Sequence, residues 1–231
     1  MKIIILSAGA GSRFTRRGIV TPKTLLPILN RPVIEHNLTA LLDTGNQVIV
    51  VGSLQVNSWI KSQSFPGVIT VDCPVIQSGP VTSALLASAH INSDDRILIL
   101  DGDQIYSPNV IPEMLNFSEG QVVVCPLGPN PDWCAVHTED TTWGEEISFL
   151  KEKGNDTKLI VSGGYGFPTW SDFQNLSYKL LAEPSPEEPK LSHVVNLGIE
   201  YGIPFKPYRI EPDEWISVGT PEELETLLGK Q

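Results

Sequence analysis

Small residues and two cations follow the first apolar run of the chain, in the segment LSAGAGSRFTRRGIVTPKTLLPI at residues 6–28. The four small residues after the first serine are Ala8, Gly9, Ala10 and Gly11. A turn of such residues lets backbone N–H groups approach a ligand closely, because no large side chain blocks the approach. Arg13 and Lys23 add two cations that suit phosphate oxygens. The segment therefore predicts a phosphate cradle framed by Arg13 and Lys23.

Other glycine-rich signatures fit this segment less well. It does not contain the G-x-G-x-x-G of dinucleotide folds, and the chain has no G-x-x-x-x-G-K-[ST] of a P-loop. A plain strand-to-helix turn, with Arg13 and Lys23 in solvent, is the alternative interpretation.

Two aspartates follow another apolar run, in RILILDGDQ at residues 96–104. Carboxylates beside a nucleotide can hold Mg²⁺, which prefers oxygen ligands and substrate phosphates. Aspartates after a buried strand also often do no more than cap a turn. Both interpretations of Asp101 and Asp103 stay open on these residues alone.

The composition restricts the class of protein. The chain has 231 residues, of which 41% are hydrophobic, and a formal net charge of -11. No apolar run approaches the ~20 residues of a membrane span, and the acidity would repel a nucleic acid. The N-terminus lacks the apolar core of a signal peptide, so we expect a cytoplasmic protein with no membrane or nucleic-acid partner. The three cysteines and four histidines show no metal-ligand spacing.

Short aliphatic runs alternate with segments of helical periodicity. The runs are KIIIL (2–6), QVIVVG (47–52), VITVD (68–72), RILILD (96–101) and QVVVC (121–125). Apolar runs of this length are typical of strands covered on both faces, and the alternation predicts an α/β fold with a doubly wound, mostly parallel, Rossmann-like sheet. Such sheets bind ligands at the carboxyl ends of their strands. The glycine-rich segment and the two aspartates should therefore meet at one edge.

The character of the sequence changes after about residue 126, where proline, glycine and charged residues become frequent. We predict a single domain over residues 1–231, with a nucleotide-binding core at 1–126, a small lid-like insertion at 127–215 and a C-terminal helix at 216–231. The stretch AEPSPEEPK at 182–190 is typical of an exposed loop. Thr220, Pro221 and Glu223 predict an N-cap, a first-turn proline and a capping-box glutamate for the last helix.

Taken in order, the motifs resemble those of the sugar-phosphate nucleotidylyltransferase family. The resemblance is carried by LSAGAGSRF, TPKTLLPILNRPVIEHNL, IQSGPVTSALLASAHI, LILDGDQIY, FLKEKG, GGYGF and WISVGTPEELETLL. It covers nearly the whole chain and is weakest at residues 126–146 and 168–195. Details such as the short spacer between GSRF and PK resemble a branch found in gene clusters for capsule and surface polysaccharide. The family fold is a nucleotidyltransferase sheet of the GT-A-like kind.

The resemblance implies that an acceptor phosphate oxygen attacks the α-phosphorus of an NTP and releases pyrophosphate. The implied nucleotide ligands are Ala8, Gly9, Ala10, Gly11, Gln77, Gly79 and Asp101, with Gln77 and Gly79 beside the base. The implied catalytic residues are Arg13 at the β and γ phosphates, Lys23 at the α-phosphate and Asp103 as the ligand of Mg²⁺. The implied acceptor ligands are Glu152, Lys153 and Gly164. Without the resemblance, Glu152 and Lys153 would be assigned to a solvated face.

Two residues depart from the family pattern. Many members carry an aspartate, as a second metal ligand, two residues before the closing Gly-Thr-Pro, where this chain has Ser217. Asp103 could hold Mg²⁺ with water, phosphates and Asp101, or Asp213 or Glu214 could supply a carboxylate, or activity could be lost. Cys134 stands near the position where a small residue often meets the acceptor.

We therefore expect a Mg²⁺-dependent nucleotidyltransferase that joins an NTP to a phosphorylated small-molecule acceptor, first of all a sugar 1-phosphate, for surface polysaccharide. A variant of this hypothesis uses CTP and a non-sugar phosphate. The rivals from other classes are a GT-A-type glycosyltransferase, whose D-x-D resembles DGD, and a catalytically silent homologue, which only Ser217 favours. Whether the chain forms a homo-oligomer stays open.

Overall fold

The computed structural model describes residues 1–74, 79–128, 132–183 and 188–229. Strands and helices alternate along the first half of these residues. The strands are β1 (Lys2–Ser7), β2 (Pro27–Ile28), β3 (Arg31–Pro32), β4 (Gln47–Gly52), β5 (Ile69–Asp72), β6 (Ile97–Asp101), β7 (Gln104–Tyr106), β8 (Gly120–Cys125), β9 (Ala135–Thr141), β10 (Gly144–Lys151), β11 (Ile160–Phe167), β12 (Phe205–Arg209) and β13 (Trp215–Ser217). The α-helices are α1 (Ser12–Arg16), α2 (Val33–Leu42), α3 (Leu54–Ser62), α4 (Gly79–Leu85), α5 (Ile111–Met114), α6 (Trp170–Ala182), α7 (Leu191–Glu200) and α8 (Pro221–Leu228).

One large sheet organises the described chain. Its main path runs β10-β9-β11-β6-β1-β4-β5, and β8 and β12 extend it beside β11, which gives nine strands. Strands β1, β4, β5 and β6 are parallel to one another, whereas β11 is antiparallel to both β6 and β8. The prediction of a mostly parallel α/β sheet is confirmed.

The sheet buries both of its faces, as the continuous apolar runs require. Ile4 of β1 lies in the hydrophobic cluster that includes residues of α4, α6 and α7, whereas Ile3 and Ile5 lie in the opposite cluster with residues of α2 and α3. All three side chains are fully buried. Each such side chain contributes about 1.5–3 kcal/mol of transfer free energy relative to exposure. This two-sided burial fixes the carboxyl ends of β1 and β6 rigidly.

The loops that follow β1 and β6 meet at those carboxyl ends. The backbone N–H of Gly102 donates a 2.9 Å hydrogen bond to the carbonyl oxygen of Leu6. A Cβ at residue 102 would overlap the Leu6 carbonyl and the Ser7 hydroxyl. Glycine is therefore required between the two aspartates, because the two loops approach too closely for any side chain.

The second half of the chain contributes more to the sheet than a lid-like insertion would. Strands β8 to β12 all belong to the nine-stranded sheet, and β12 pairs parallel to β8 across about 85 positions of sequence. The hairpin of β9 and β10 extends the sheet at its edge. Strand β11 lies next to β6, and β9, β10 and β12 also belong to the sheet, so only part of residues 127–215 is free to lie over the strand ends. The division into functional portions stays a prediction.

The C-terminal helix begins as predicted. The Thr220 hydroxyl accepts a hydrogen bond from the Glu223 N–H, and the Glu223 carboxylate accepts one from the Thr220 N–H. This reciprocal capping box, with Pro221 in the first turn, starts α8. The loop prediction at 182–190 lies partly outside the described residues, at 184–187; Ala182 ends α6. Among the helices that the structure describes, none is long and apolar enough to cross a membrane.

Candidate active site

A cleft of about 670 Å³ opens at the carboxyl ends of β1 and β6. Ala8, Gly9 and Ala10 line it after β1, and Asp101 and Asp103 line it after β6. The edge predicted from the two motifs is therefore the edge at which the cleft lies. Residues of the second half, including Cys134 and Glu152, form its other wall.

The glycine-rich turn forms the floor of the cleft beside Lys23. A Cβ built on Gly9 would lie 3.9 Å from the Lys23 Cε, so the turn and the lysine side chain are neighbours. Gly11 adopts a left-handed conformation with a φ of 57° and precedes α1, but it does not line the cleft. Its role is to turn the chain, because a φ in this region favours glycine.

Lys23 contacts Asp103 directly, through its Nζ and the Asp103 Oδ2. Burial disfavours the charged form of Lys23, but the charge of Asp103 and the hydrogen bond to it outweigh burial and raise the pKa of Lys23. Burial alone would raise the pKa of Asp103, but the same contact and an amide hydrogen bond from Gln104 lower it. Both groups are therefore charged at neutral pH.

Asp101 lies near this pair, but its pKa is shifted in the opposite direction from that of Asp103. Burial, and then the negative charge of Asp103, raise the pKa of Asp101 to about 7. Two carboxylates this close repel each other unless a cation lies between them. A divalent cation would remove that repulsion.

The residues around Asp103 fit Mg²⁺. Besides the two carboxylates, the buried Oε1 of Gln104 has no hydrogen-bond partner in the described structure, and it adds a neutral oxygen. Within the described ranges there is no cluster of three or more acidic, histidine or cysteine side chains that could hold a metal by themselves. A sparse carboxylate site of this kind suits Mg²⁺, which usually keeps several waters and substrate phosphates as ligands.

Ser217 lies on β13 beside Asp103 but is bonded to another carboxylate. Its hydroxyl donates a 2.9 Å hydrogen bond to the Glu223 Oε2, and the Asp103 carbonyl accepts one from the Val218 N–H. A Cβ built on Gly219 would lie 3.4 Å from the Glu223 Oε2 and 3.6 Å from the Asp103 Oδ2. The capping glutamate of α8 thus brings a carboxylate close to the position where relatives carry aspartate.

The two acids suggested as substitutes for the missing aspartate lie elsewhere. Asp213 and Glu214 occupy a single-turn helix before β13 and line a second, smaller cleft of about 290 Å³. The Glu214 side chain accepts a hydrogen bond from the Glu211 N–H. Neither acid lines the larger cleft.

Arg13 lies on α1 with its side chain in solvent and does not line the cleft. It is close enough to oppose the rise in the pKa of Lys23, after the larger effects of burial, Asp103 and Asp101. The structure thus places Arg13 beside the cleft, as a second cation near Lys23.

The nucleobase segment is described only in part. Gly79 lines the cleft with a φ of 75° and packs against the Glu188 side chain, whereas Gln77 lies outside the described residues.

Two further cleft residues were missed by the sequence interpretation. The hydroxyls of Ser7 and Thr24 are buried and have no hydrogen-bond partner in the described part of the chain. Only their positions next to the predicted phosphate cradle could have identified them.

Glu152 lines the cleft on the wall formed by the second half of the chain, and it is held by α7. Its Oε1 accepts a 2.5 Å hydrogen bond from the Ser192 hydroxyl. Cys134 lies next to it, and burial and then Glu152 raise the pKa of the Cys134 thiol far above its usual range. Cys134 is therefore a neutral, unreactive wall of the site.

Lys153 points away from the cleft that Glu152 lines. Glu152 is half-buried and faces the cleft, whereas Lys153 is exposed, with a φ of 54° in the turn after β10. The left-handed backbone of Lys153 turns the chain directly after Glu152, and Lys153 does not line the cleft. Lys190, immediately before α7, lines the cleft instead, and its charge reaches Asp101. The sequence interpretation missed Lys190, which follows the proline-rich stretch.

Gly164 also lies outside the cleft lining. The pairing of β11 with β8 shifts register between Val161 and Gly164. The irregularity turns Gly163 toward the cleft, where a Cβ would meet Gln104 and Asp101. A Cβ on Gly164 would instead overlap the Val123 side chain in the core. The structure therefore places Gly163, rather than Gly164, at the cleft, because the glycine pair lies in a β-bulge.

Comparison with known proteins identifies the family of this chain. The family model described as "MobA-like NTP transferase domain" matches residues 3–160. The UTP–glucose-1-phosphate uridylyltransferase AglF of Haloferax volcanii is 26% identical over 96% of this chain and 93% of its own length. The CMP-5'-(3-aminopropyl)phosphonate synthase of Streptomyces rubellomurinus is 28% identical over 56% of this chain, which spans only 22% of that longer protein.

A solved structure has the same fold over its whole length. The nucleoside-diphosphate-sugar pyrophosphorylase of Vibrio cholerae superposes with a TM-score of 0.85 and covers 100% of both chains. Its sequence is 19% identical, so this likeness concerns the fold.

Proposed function

The chain belongs to the family of MobA-like NTP transferase domains, and from this premise we propose that it transfers a nucleoside monophosphate from an NTP to a phosphorylated acceptor. The acceptor phosphate oxygen forms a bond to the α-phosphorus, and the bond from that phosphorus to the pyrophosphate leaving group breaks. The observation that carries the proposal is the contact of Lys23 with Asp103 in a cleft at the carboxyl ends of β1 and β6.

The nucleotide end is assigned to the first half of the chain. Backbone groups of residues 8–11 hold the triphosphate, with Gly79 and Gln77 beside the base. Ser7 and Thr24 offer buried hydroxyls that have no partner among the described residues. Arg13 binds the β and γ phosphates from the rim of the cleft. Lys23 neutralises the charge that develops on the α-phosphate, which is the largest contribution a positioned cation can make to this reaction.

Asp101 and Asp103 hold Mg²⁺ in this proposal. The ion would neutralise phosphate charge and orient the triphosphate when it is bound. Lys23 contacts Asp103, so its charge lies beside the carboxylates that would hold the ion and is within reach of a phosphate bound there. The Glu223 carboxylate, which accepts a hydrogen bond from Ser217, supplies negative charge near the position that departs from the family pattern.

The acceptor end is assigned to the second half of the chain. Glu152, oriented by Ser192, accepts hydrogen bonds from the acceptor body. Lys190 binds the acceptor phosphate, since it lines the cleft whereas Lys153 does not. A sugar 1-phosphate is the first acceptor class, supported by the name of the archaeal uridylyltransferase. The activated product would then serve surface polysaccharide, in a cytoplasmic enzyme.

A second candidate is a cytidylyltransferase that acts on a non-sugar phosphate or phosphonate. The relative named as a CMP-aminopropylphosphonate synthase favours it, because its alignment covers half of this chain. Both candidates share one reaction and differ in the acceptor.

The test is pyrophosphate release, measured for each of ATP, CTP, GTP, UTP and TTP against sugar 1-phosphates and non-sugar phosphates, with Mg²⁺ and with EDTA. Release that requires one NTP, one acceptor and the ion supports the proposal. Transfer of a sugar from a nucleotide sugar, without pyrophosphate release, would favour a glycosyltransferase. Nucleotide binding without turnover of any acceptor would favour a silent homologue.

A further inference from the structure

The acceptor end of the cleft has an aromatic corner made by Trp133 and Trp215. The two ring centroids lie 5.4 Å apart and the ring planes meet at 69°, an edge-to-face arrangement. Trp215 is buried on β13, and Trp133 is half-buried next to Cys134. Both rings line the cleft, as does the buried Tyr165. Aromatic residues therefore form part of the cleft wall beside Cys134.

The same cleft carries an excess of acid. Its charged lining residues within the described chain are Lys23, Asp101, Asp103, Asp132, Glu152, Glu188 and Lys190. Lys23 is paired with Asp103, and the Lys190 Nζ lies 2.9 Å from the Glu188 Oε2. Glu152 has no ion-pair partner in the part of the chain that the structure describes.

An anionic acceptor meets an unfavourable field in such a cleft. Both proposed substrates bring phosphate, and Mg²⁺ held by Asp101 and Asp103 would offset the charge of those two carboxylates but leave Glu152 without a partner of opposite charge. Glu152 is hydrogen-bonded to the Cys134 thiol, and Cys134 directly follows Trp133 in the chain, so Glu152 lies close to the aromatic corner. A positively charged group on the acceptor would remove this imbalance, because it is attracted both to a carboxylate and to an aromatic face.

On the premise of the proposed function, we propose that the acceptor carries a protonated amine besides its phosphate. The amine lies between Glu152 and the corner of Trp133 and Trp215, and the phosphate lies toward Lys190. Two sources share this chemistry, an amino-sugar phosphate and a phosphorylated amino alcohol, and matched substrates distinguish them.

The experiment compares pairs of acceptors that differ only in charge. Glucosamine 1-phosphate is paired with glucose 1-phosphate, and ethanolamine phosphate with propyl phosphate, in which a methyl group replaces the ammonium group. Pyrophosphate release is measured for each acceptor with the full chain, each NTP and Mg²⁺. We expect the charged member of one pair to have a kcat/KM at least about tenfold above that of its neutral partner.

Variants locate the preference in the aromatic corner. Trp133→Leu keeps apolar bulk but removes the π face, and Glu152→Gln removes the negative charge. Each should reduce the ratio of charged to neutral kcat/KM severalfold. Trp143→Leu is the matched control, since Trp143 is 80% exposed and does not line the cleft. A structural effect would lower both members of a pair equally and leave the ratio unchanged.

The outcomes distinguish a failure of the amine inference from a failure of the proposed function. Equal or better turnover of the neutral members, or an unchanged ratio in both variants, would overturn the amine inference and leave the proposed function standing. The absence of pyrophosphate with every NTP and every acceptor would overturn both together.

Discussion

Lys23 and Asp103, which are 80 positions apart in the chain, contact each other at the point where β1 and β6 end side by side. The contact joins the cation of the glycine-rich segment to the carboxylate of the DGD segment. It keeps both groups charged in a largely buried site, because each stabilises the charged form of the other. The contact thus places one cation and one carboxylate side by side at the carboxyl ends of β1 and β6.

Lys23→Ala should reduce turnover far more than nucleotide binding. The lysine charge is most useful when negative charge builds at the α-phosphate, so we expect kcat to fall about 10²–10³-fold. The dissociation constant of the NTP should change less than about threefold, as measured by calorimetry with Mg²⁺. Lys158→Ala, at an exposed position, is the control. An equal loss in both quantities would make Lys23 a binding residue only.

Ser217→Asp should make stability depend on Mg²⁺. The new carboxylate would face Glu223, which now accepts the Ser217 hydrogen bond, and Asp103. Like-charge repulsion should lower the unfolding midpoint in EDTA by about 2–4 °C, and Mg²⁺ should restore it. Thermal unfolding of this variant and of the neutral control Ser217→Asn, each with and without Mg²⁺, checks the prediction. Identical shifts in the two variants would contradict the closeness of the three carboxylates.

Lys190→Ala should weaken binding of the acceptor but not of the NTP. Because Lys190 lines the cleft and Lys153 does not, we expect the KM of the acceptor to rise about tenfold with little change in the KM of the NTP. Lys153→Ala should stay within about twofold of the parent chain in both constants. Initial rates measured with each substrate varied in turn separate the two lysines. The reverse result would restore the assignment of Lys153 from the sequence.

The stability contribution of Asp101 should depend on pH. Burial and Asp103 raise the pKa of Asp101 to about 7, from an ordinary value of 3.8. The folded state therefore prefers the protonated acid. The contribution of Asp101 should lower the free energy of unfolding progressively as the pH rises from about 4 to about 7, and should not change further above that range. Asp101→Asn should remove this dependence. Urea unfolding in EDTA across this range, with the exposed Asp140→Asn as control, measures it. Parallel pH profiles of parent and variant would refute the shift.

Local sequence patterns predicted the family, the mostly parallel sheet and the edge at which the cleft lies. Strand runs with three or four aliphatic residues and the capping box of α8 depend on near neighbours, so they can be recognised without tertiary information. The meeting of Lys23 with Asp103 followed from one topological rule, that parallel strands end at the same edge.

Side-chain direction at the acceptor end could not be predicted in the same way. Glu152 and Lys153 are adjacent, but they lie in a tight turn after β10, and only Glu152 lines the cleft. The bulge of β11 places Gly163, rather than Gly164, at the cleft. Lys190 enters from the start of α7, about 40 positions beyond Glu152, and no local signal marks it. These positions depend on strand register and on packing between distant segments.

The fate of the α-phosphorus tests the central claim most directly. The full chain is incubated with Mg²⁺, the acceptor and an NTP labelled either at the α or at the γ phosphorus, and the products are separated. The proposed reaction predicts that the α label appears in the joined product and the γ label in pyrophosphate, and that Asp103→Asn forms neither. Transfer of the γ label to the acceptor, or its release only as inorganic phosphate, would contradict nucleotidyl transfer.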